Sequence, residues 1–192
     1  MSTPLATDIR ILRELTKQYA EICASDEQRR RRDLWRDHNS LIKRPPPIYV
    51  RAIPPGETPE LCISRCDDPC WQHYERWLRL MLCHAATGDD YTFDPWITVD
   101  AAVITPPEGL WGVATKRIPS PERQGAWRYD PPLTALADTD RLVFPRHRID
   151  EEATAQRLER VQHALGDLLP VVVDRAPAWR NWHADIANSL AY

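Results

Sequence analysis

At 192 residues the chain is long enough for one domain, or for part of a larger one. A formal charge of −3 and a hydrophobic fraction of 43% exclude a disordered polyelectrolyte and give no general attraction to nucleic acid or to an anionic membrane. No apolar run approaches the length of a membrane span, and Met-Ser-Thr-Pro leads into charged sequence rather than a secretory leader, so the cytoplasm is the expected compartment.

The first helix is expected from Thr7 as its cap, with Ile9, Leu12, Leu15, Tyr19 and Ile22 at helical spacing. Ser25 opens a second helix through the capping box Ser25-x-x-Gln28, with Asp26 and Glu27 in the first turn. Arg29 to Arg32 are four consecutive arginines. Such a run points all round a helix, which favours a solvated face over a nucleic-acid patch. Leu34, Trp35, Leu41 and Ile42 supply the buried side.

The chain then enters Arg44-Pro45-Pro46-Pro47-Ile48-Tyr49-Val50-Arg51, followed by Ala52, Ile53, Pro54, Pro55, Gly56 and Glu57. The prolines cannot continue a helix and bias their predecessors toward extended backbone, so Ile48 to Ile53 reads as one strand between two proline brackets. Arg51 and Glu57 fall near its exit, where parallel α/β folds bind ligands. The plainer reading is an ordinary strand and a proline-rich turn.

Five cysteines, Cys23, Cys62, Cys66, Cys70 and Cys83, are an odd number and do not resemble a secreted disulfide framework. The spacing Cys62-x3-Cys66-x3-Cys70-x2-His73, with His84 beyond, raises a small metal module as an alternative. No second tight ligand pair accompanies it, and Cys70 sits among helix-core residues, so buried free thiols are the expectation.

Asp67 or Asp68 caps a third helix and Pro69 takes its first position. Trp71, Tyr74, Trp77, Leu78, Met81, Leu82 and Ala85 form its apolar stripe, and Gly88 ends it. A short strand is expected to end near Asp94, with Asp94 and Trp96 at the break made by Pro95. Residues 106–148 carry many prolines and little periodicity, which predicts an excursion with a hairpin around Trp111 to Ile118. Asp150 caps the next helix, with Leu158, Val161 and Leu165 inward and Gly166 at its end. Pro170-Val171-Val172-Val173 reads as a buried parallel strand leading to Asp174, Arg175 and Ala176-Pro177. Trp179 to Tyr192 begins another helix that stops without a cap or glycine.

Strands separated by helices imply right-handed βαβ units. An open sheet of three parallel strands would leave bare edges, so the chain is expected to be incomplete or to pair with another chain.

The run Arg44-Pro45-Pro46-Pro47-Ile48-Tyr49-Val50-Arg51 resembles the Arg-Pro-Pro-Val-Trp-x-Met-Arg first strand of the uroporphyrinogen decarboxylase superfamily, which also holds corrinoid-linked, zinc-dependent methyltransferases. Phe93-Asp94 is similar to that family's Phe-Ser-Asp. Leu165-Gly166-Asp167 through Val173 and Ala176-Pro177-Ala178-Trp179 is similar to its third strand with Gly-Ala-Pro-Trp beyond. The likeness spans about residues 26–192. It implies the N-terminal part of a (β/α)8 TIM barrel, α/β in class, with about three parallel strands in 44–192 and a helical extension over 1–43.

The resemblance further implies that Arg51 anchors a substrate carboxylate and that Asp94 holds pyrrole N–H groups. The family's second arginine falls on Pro55, a departure that counts against true porphyrinogen decarboxylation. The methyltransferase branch carries its His/Cys/Cys zinc ligands in the later half of the barrel, so no cofactor is expected within this chain, with zinc and a corrinoid left to a complete methyltransferase. The expected partners are a small-molecule substrate or a corrinoid protein, and the missing barrel half or another chain.

From chemistry alone, Asp94 at a strand exit would accept an N–H or hold developing positive charge, and Glu57 would act as general acid or base if burial raised its pKa. Arg51 or Arg175 would bind a carboxylate bidentately, and Trp96 and Trp179 would wall an apolar pocket. For each the plainer alternative is a structural salt bridge, a solvated charge or core filling. No Ser-His-Asp order, phosphate loop or Gly-rich dinucleotide turn is present.

Overall fold

The computed structural model describes residues 4–50, 63–104, 107–109, 111–114, 116–122, 125–144 and 148–176. In chain order the elements are α1 (Pro4–Ala24), α2 (Asp26–Asn39), α3 (Pro69–Ala85), β1 (Ile97–Asp100), β2 (Val103–Ile104), β3 (Lys116–Ile118), β4 (Arg128–Asp130), a 3-10 helix (Leu136–Arg141), β5 (Arg148–Ile149), α4 (Glu151–Leu165) and β6 (Val171–Asp174). The described residues thus mix helix and strand, an α/β composition. They divide into two compact units, Met1–Val99 with Leu158–Val172 and Asp100–Arg157 with Val173–Tyr192.

The core of the first unit is built where the helical stripes meet. Leu12, Leu15 and Tyr19 of α1 pack into one cluster with Trp71, Tyr74 and Leu78 of α3, together with Phe93, Ile97, Val99, Val161, Leu165 and Leu169. Each such side chain contributes about 1.5–3 kcal/mol through loss of apolar surface to water. The helix starts are set by chemistry that the sequence displays. Ser25 Oγ accepts the Gln28 N–H at 3.2 Å, and Asp68 Oδ1 accepts the Cys70 N–H at 2.8 Å with Pro69 in the first helical position. Asp8, buried in α1, adds its carboxylate to the N–H groups of Asp67 and Asp68, so the start of α3 is fastened to α1. Helix α1 begins at Pro4, three residues before the expected cap Thr7, because proline costs nothing in the first turn.

Strands β1 and β6 pair, and they run in the same direction. The Ile97 N–H donates to Pro170 O at 2.8 Å, and four residues further along each strand the Ala101 N–H donates to Asp174 O at 2.9 Å. Burial alternates along β1, with Ile97 and Val99 inside and Thr98 and Asp100 outside. Helix α4 lies between these strands in sequence, so β1, α4 and β6 form a βαβ succession with the excursion inserted before the helix.

Leu41 and Ile42, expected on the buried side, are instead exposed, and three expectations about strands need correction. Ile48 to Val50 forms no strand: the Ile48 N–H donates to Asp90 Oδ2 and the Val50 N–H to Asp89 Oδ2, each at 2.8 Å, while Ile48 O accepts the Asp90 N–H at 2.8 Å. Two aspartate side chains thus take the donors that a neighbouring strand would have taken. Tyr91 to Asp94 forms no strand either, because a side-chain amide occupies its backbone, and the strand begins at Ile97 on the far side of Pro95. Tyr49 and Phe93 therefore stand outside the strand pair that holds Val172. Third, the hairpin of the excursion pairs Lys116–Ile118 with Arg128–Asp130 rather than turning within Trp111 to Ile118.

In the second unit β2 and β5 pair antiparallel, Val103 opposite Ile149, and β3 and β4 pair with Arg117 opposite Tyr129. Gly112 takes φ +78°, and a Cβ there would meet a Val143 side-chain carbon at 2.7 Å, so only glycine suits the turn. Asp150 caps α4 as expected, Oδ1 accepting the Ala153 N–H at 2.9 Å.

Candidate functional site

The described site begins with an extended stretch held by side chains instead of a ladder. Gln28 is buried on α2. Its amide oxygen accepts the Phe93 N–H at 2.9 Å and its amide nitrogen donates to Tyr91 O at 3.1 Å. From α1, Tyr19 Oη donates to Asp94 O at 2.9 Å and Cys23 Sγ reaches the same oxygen at 3.6 Å. Trp35 Nε1 donates to Asp90 O at 2.6 Å. Backbone groups denied a neighbouring strand are thereby satisfied by side chains of α1 and α2.

The Asp94 residue is exposed overall, yet the protein around its carboxylate strips enough hydration to raise its pKa, against the pull of Arg32. Arg32, one turn beyond Gln28 on α2, donates from Nη2 to Cys23 O at 3.3 Å, while its Nη1 is buried with no hydrogen-bond partner. Burial pushes the Tyr19 phenol well up and also raises the Cys23 thiol, so neither is a ready nucleophile at neutral pH. Trp96 is 36% exposed on the approach to β1.

Two further buried carboxylates close the unit. Burial opposes the charge of Glu75, but hydrogen bonds from Ser64 Oγ, Arg79 and the N–H groups of Cys66 and Arg65 outweigh it and hold its pKa at about 2. Asp89 Oδ2 meets His84 Nε2 at 3.0 Å as well as the Val50 N–H, and despite burial these bonds lower the Asp89 pKa. His84 stacks on Tyr91 at 4.4 Å between ring centres and on Tyr49 at 5.8 Å. These are fastenings: every oxygen faces a donor from the protein itself.

The remaining sequence-predicted residues are distributed as follows. Arg51, Glu57 and Trp179 lie outside the described residues. Arg175 follows β6 in the second unit and grips Glu151 with both guanidinium nitrogens at the surface, Nη1 at 3.1 Å from Oε2. That hydrogen bond raises the Arg175 pKa. Asp94 and Trp96 precede β1 rather than follow a strand, so they stand on its entry side. Cys23, Cys66, Cys70 and Cys83 are free thiols, with burial and then Glu75 pushing Cys66 up to about 12. Among the described residues no group of three or more His, Cys, Asp or Glu side chains is arranged to hold a metal ion. Within the arginine run, Arg29 pairs with Asp26 and Arg31 with Glu27, so much of its charge is spent along the helix itself.

Sequence reasoning missed Arg32 and Gln28 as members of a site. The available signal was helical spacing: Gln28, Arg31 and Arg32 fall on the face that continues Leu34 and Trp35. Among the described residues no helix is long and apolar enough to cross a membrane. No family model, no curated protein and no solved structure matches the chain.

Proposed function

We propose that the chain is the N-terminal portion of a uroporphyrinogen-decarboxylase-like barrel protein, which decarboxylates a substrate or transfers a methyl group to or from a corrinoid once the barrel is complete. The observation that supports this reading is the parallel pairing of β1 and β6 with α4 between them in the chain. Ile97 and Val99 turn one face of β1 to a helical core, while Thr98 and Asp100 leave the other open. Parallel sheets are stable when both faces are covered, and further βα units supply that cover.

In such a barrel the chemistry gathers at strand exits. Arg51 and Arg175 then bind substrate carboxylates, Glu57 serves in proton transfer, and Trp179 walls the pocket. Arg175 must exchange Glu151 for the substrate, a swap between two carboxylates at the surface. Asp94 and Trp96, before β1, drop out of that group. Zinc, where the methyltransferase branch applies, would be held by residues of the later half, with the corrinoid brought by a corrinoid protein.

The same open face supports one other reading, a non-catalytic partner whose sheet another chain completes. Reading the frame past Tyr192 separates the two. Five further βα units, and decarboxylation or corrinoid methylation by the full product, support the enzyme. A stop codon directly after Tyr192 overturns it, and a monodisperse monomer in light scattering overturns the partner.

A further inference from the structure

We propose that one face of the β3–β4 hairpin, formed by Arg117, Trp127 and Tyr129, binds single-stranded nucleic acid, stacking a base on the aromatic side chains and holding the adjoining phosphate with the guanidinium. The site lies wholly within the second unit. It goes beyond the barrel reading and uses none of the residues assigned there.

The strand register builds the face. Arg117 stands opposite Tyr129 across the hairpin, and Trp127 comes two residues before Tyr129, the spacing that shares a face along an extended chain. The contacts agree. Arg117 Cζ lies 4.3 Å from the centre of the Trp127 ring and 5.6 Å from that of Tyr129, and the two rings meet edge to face at 4.7 Å. Arg117 Nη2 stands 3.5 Å from Tyr129 Oη, so a guanidinium N–H and a phenol O–H sit side by side, as two donors to one oxyanion must.

This face is open to solvent. Trp127 is 47% exposed, and Arg117 is exposed beside it. A guanidinium laid over an indole is attracted by the ring while its in-plane N–H groups remain for an anion. Among the described residues neither Arg117 nor its strand neighbours Lys116 and Arg128 forms an ion pair. Arg141 and Arg175 of the same unit, by contrast, are taken up by Asp138 and Glu151. The stretch 116–130 sets Lys116, Arg117, Arg123 and Arg128 against Glu122 and Asp130, a local positive excess in a chain whose total is −3. Charge complementarity therefore selects an anionic partner, and the exposed rings select among anions. An acidic peptide uses the guanidinium but leaves indole and phenol idle, whereas a nucleotide strand presents a phosphate and a flat base close together.

The test uses the 192-residue chain and three probes carrying the same fluorescent label: a thymidine octanucleotide, an abasic octamer with the same phosphates, and octaglutamate. Fluorescence anisotropy is followed at low and at physiological salt. The thymidine octamer is expected to bind about tenfold more tightly than either of the others, the effect of stacking one base, and to weaken as salt rises. Trp127→Ala should bring the thymidine octamer to the abasic level, and Trp127→Phe should retain most of the difference. Arg117→Gln should weaken both oligomers and flatten their salt dependence. Equal binding of the thymidine and abasic octamers, or a Trp127→Ala variant that still tells them apart, overturns the site. So does octaglutamate binding as tightly as the thymidine octamer, which would assign the face to an acidic protein partner. A wild-type chain that binds none of the probes overturns it as well. None of these outcomes depends on whether the frame beyond Tyr192 encodes a barrel.

Discussion

Glu75 in the first unit and Asp138 in the second are held by the same kind of bond, yet they sit in opposite surroundings. Glu75, 0% exposed, accepts from a serine hydroxyl and two backbone N–H groups and is paired with Arg79. Asp138 Oδ2 accepts from the Thr134 N–H and hydroxyl and from the Ala135 N–H in water's reach. Both pKa values are lowered, that of Asp138 chiefly by the two backbone donors. The difference lies in what replaces a lost acceptor: water steps in beside Asp138, and nothing does beside Glu75.

The sharpest way to break this comparison is Glu75→Ala. It strands Arg79 and two N–H groups inside the protein and should cost about 3–5 kcal/mol in denaturant unfolding. A loss under about 1 kcal/mol would mean that the 64–66 loop simply relaxes. Acid probes the same group next. The folded pKa of about 2 lies below the ordinary 4.5, so its stabilisation is present above pH 4.5 and is lost as pH falls toward 2. Urea midpoints over that window should record a loss on the order of 3 kcal/mol in the wild type, and a flatter slope in Glu75→Gln. Gln28→Ala leaves the Phe93 N–H and Tyr91 O without partners and should cost about 2 kcal/mol, with faster amide exchange at Phe93. Asp138→Ala should give the smallest shift in thermal midpoint of the four. A shift matching that of Gln28→Ala would erase the contrast between the units.

Where a helix carried its own cap and stripe, the sequence was legible. Ser25, Asp68-Pro69 and Asp150 start α2, α3 and α4 as expected, and Val171 to Val173 forms a strand. The extended stretches Ile48–Val50 and Tyr91–Asp94 were legible only in backbone form. β-branched and aromatic residues between prolines dictate an extended chain, but not what lies beside it. The partners turn out to be Asp89, Asp90 and Gln28, separated from their acceptors and donors by 39 to 65 residues. No local pattern announces such pairings. The candidate site suffered similarly, since a run of four arginines averages to a solvated face while its helical period turns Arg31 and Arg32 inward.

The fastening of Ile48–Val50 has one more implication. A strand inside a ladder is locked in register by its neighbours, whereas a segment hung from Asp89 and Asp90 can be unhooked without tearing any sheet. Its side chains also stay largely in water, Ile48 at 64% exposure and Val50 at 40%, where a strand inside a ladder would set alternate ones against a core.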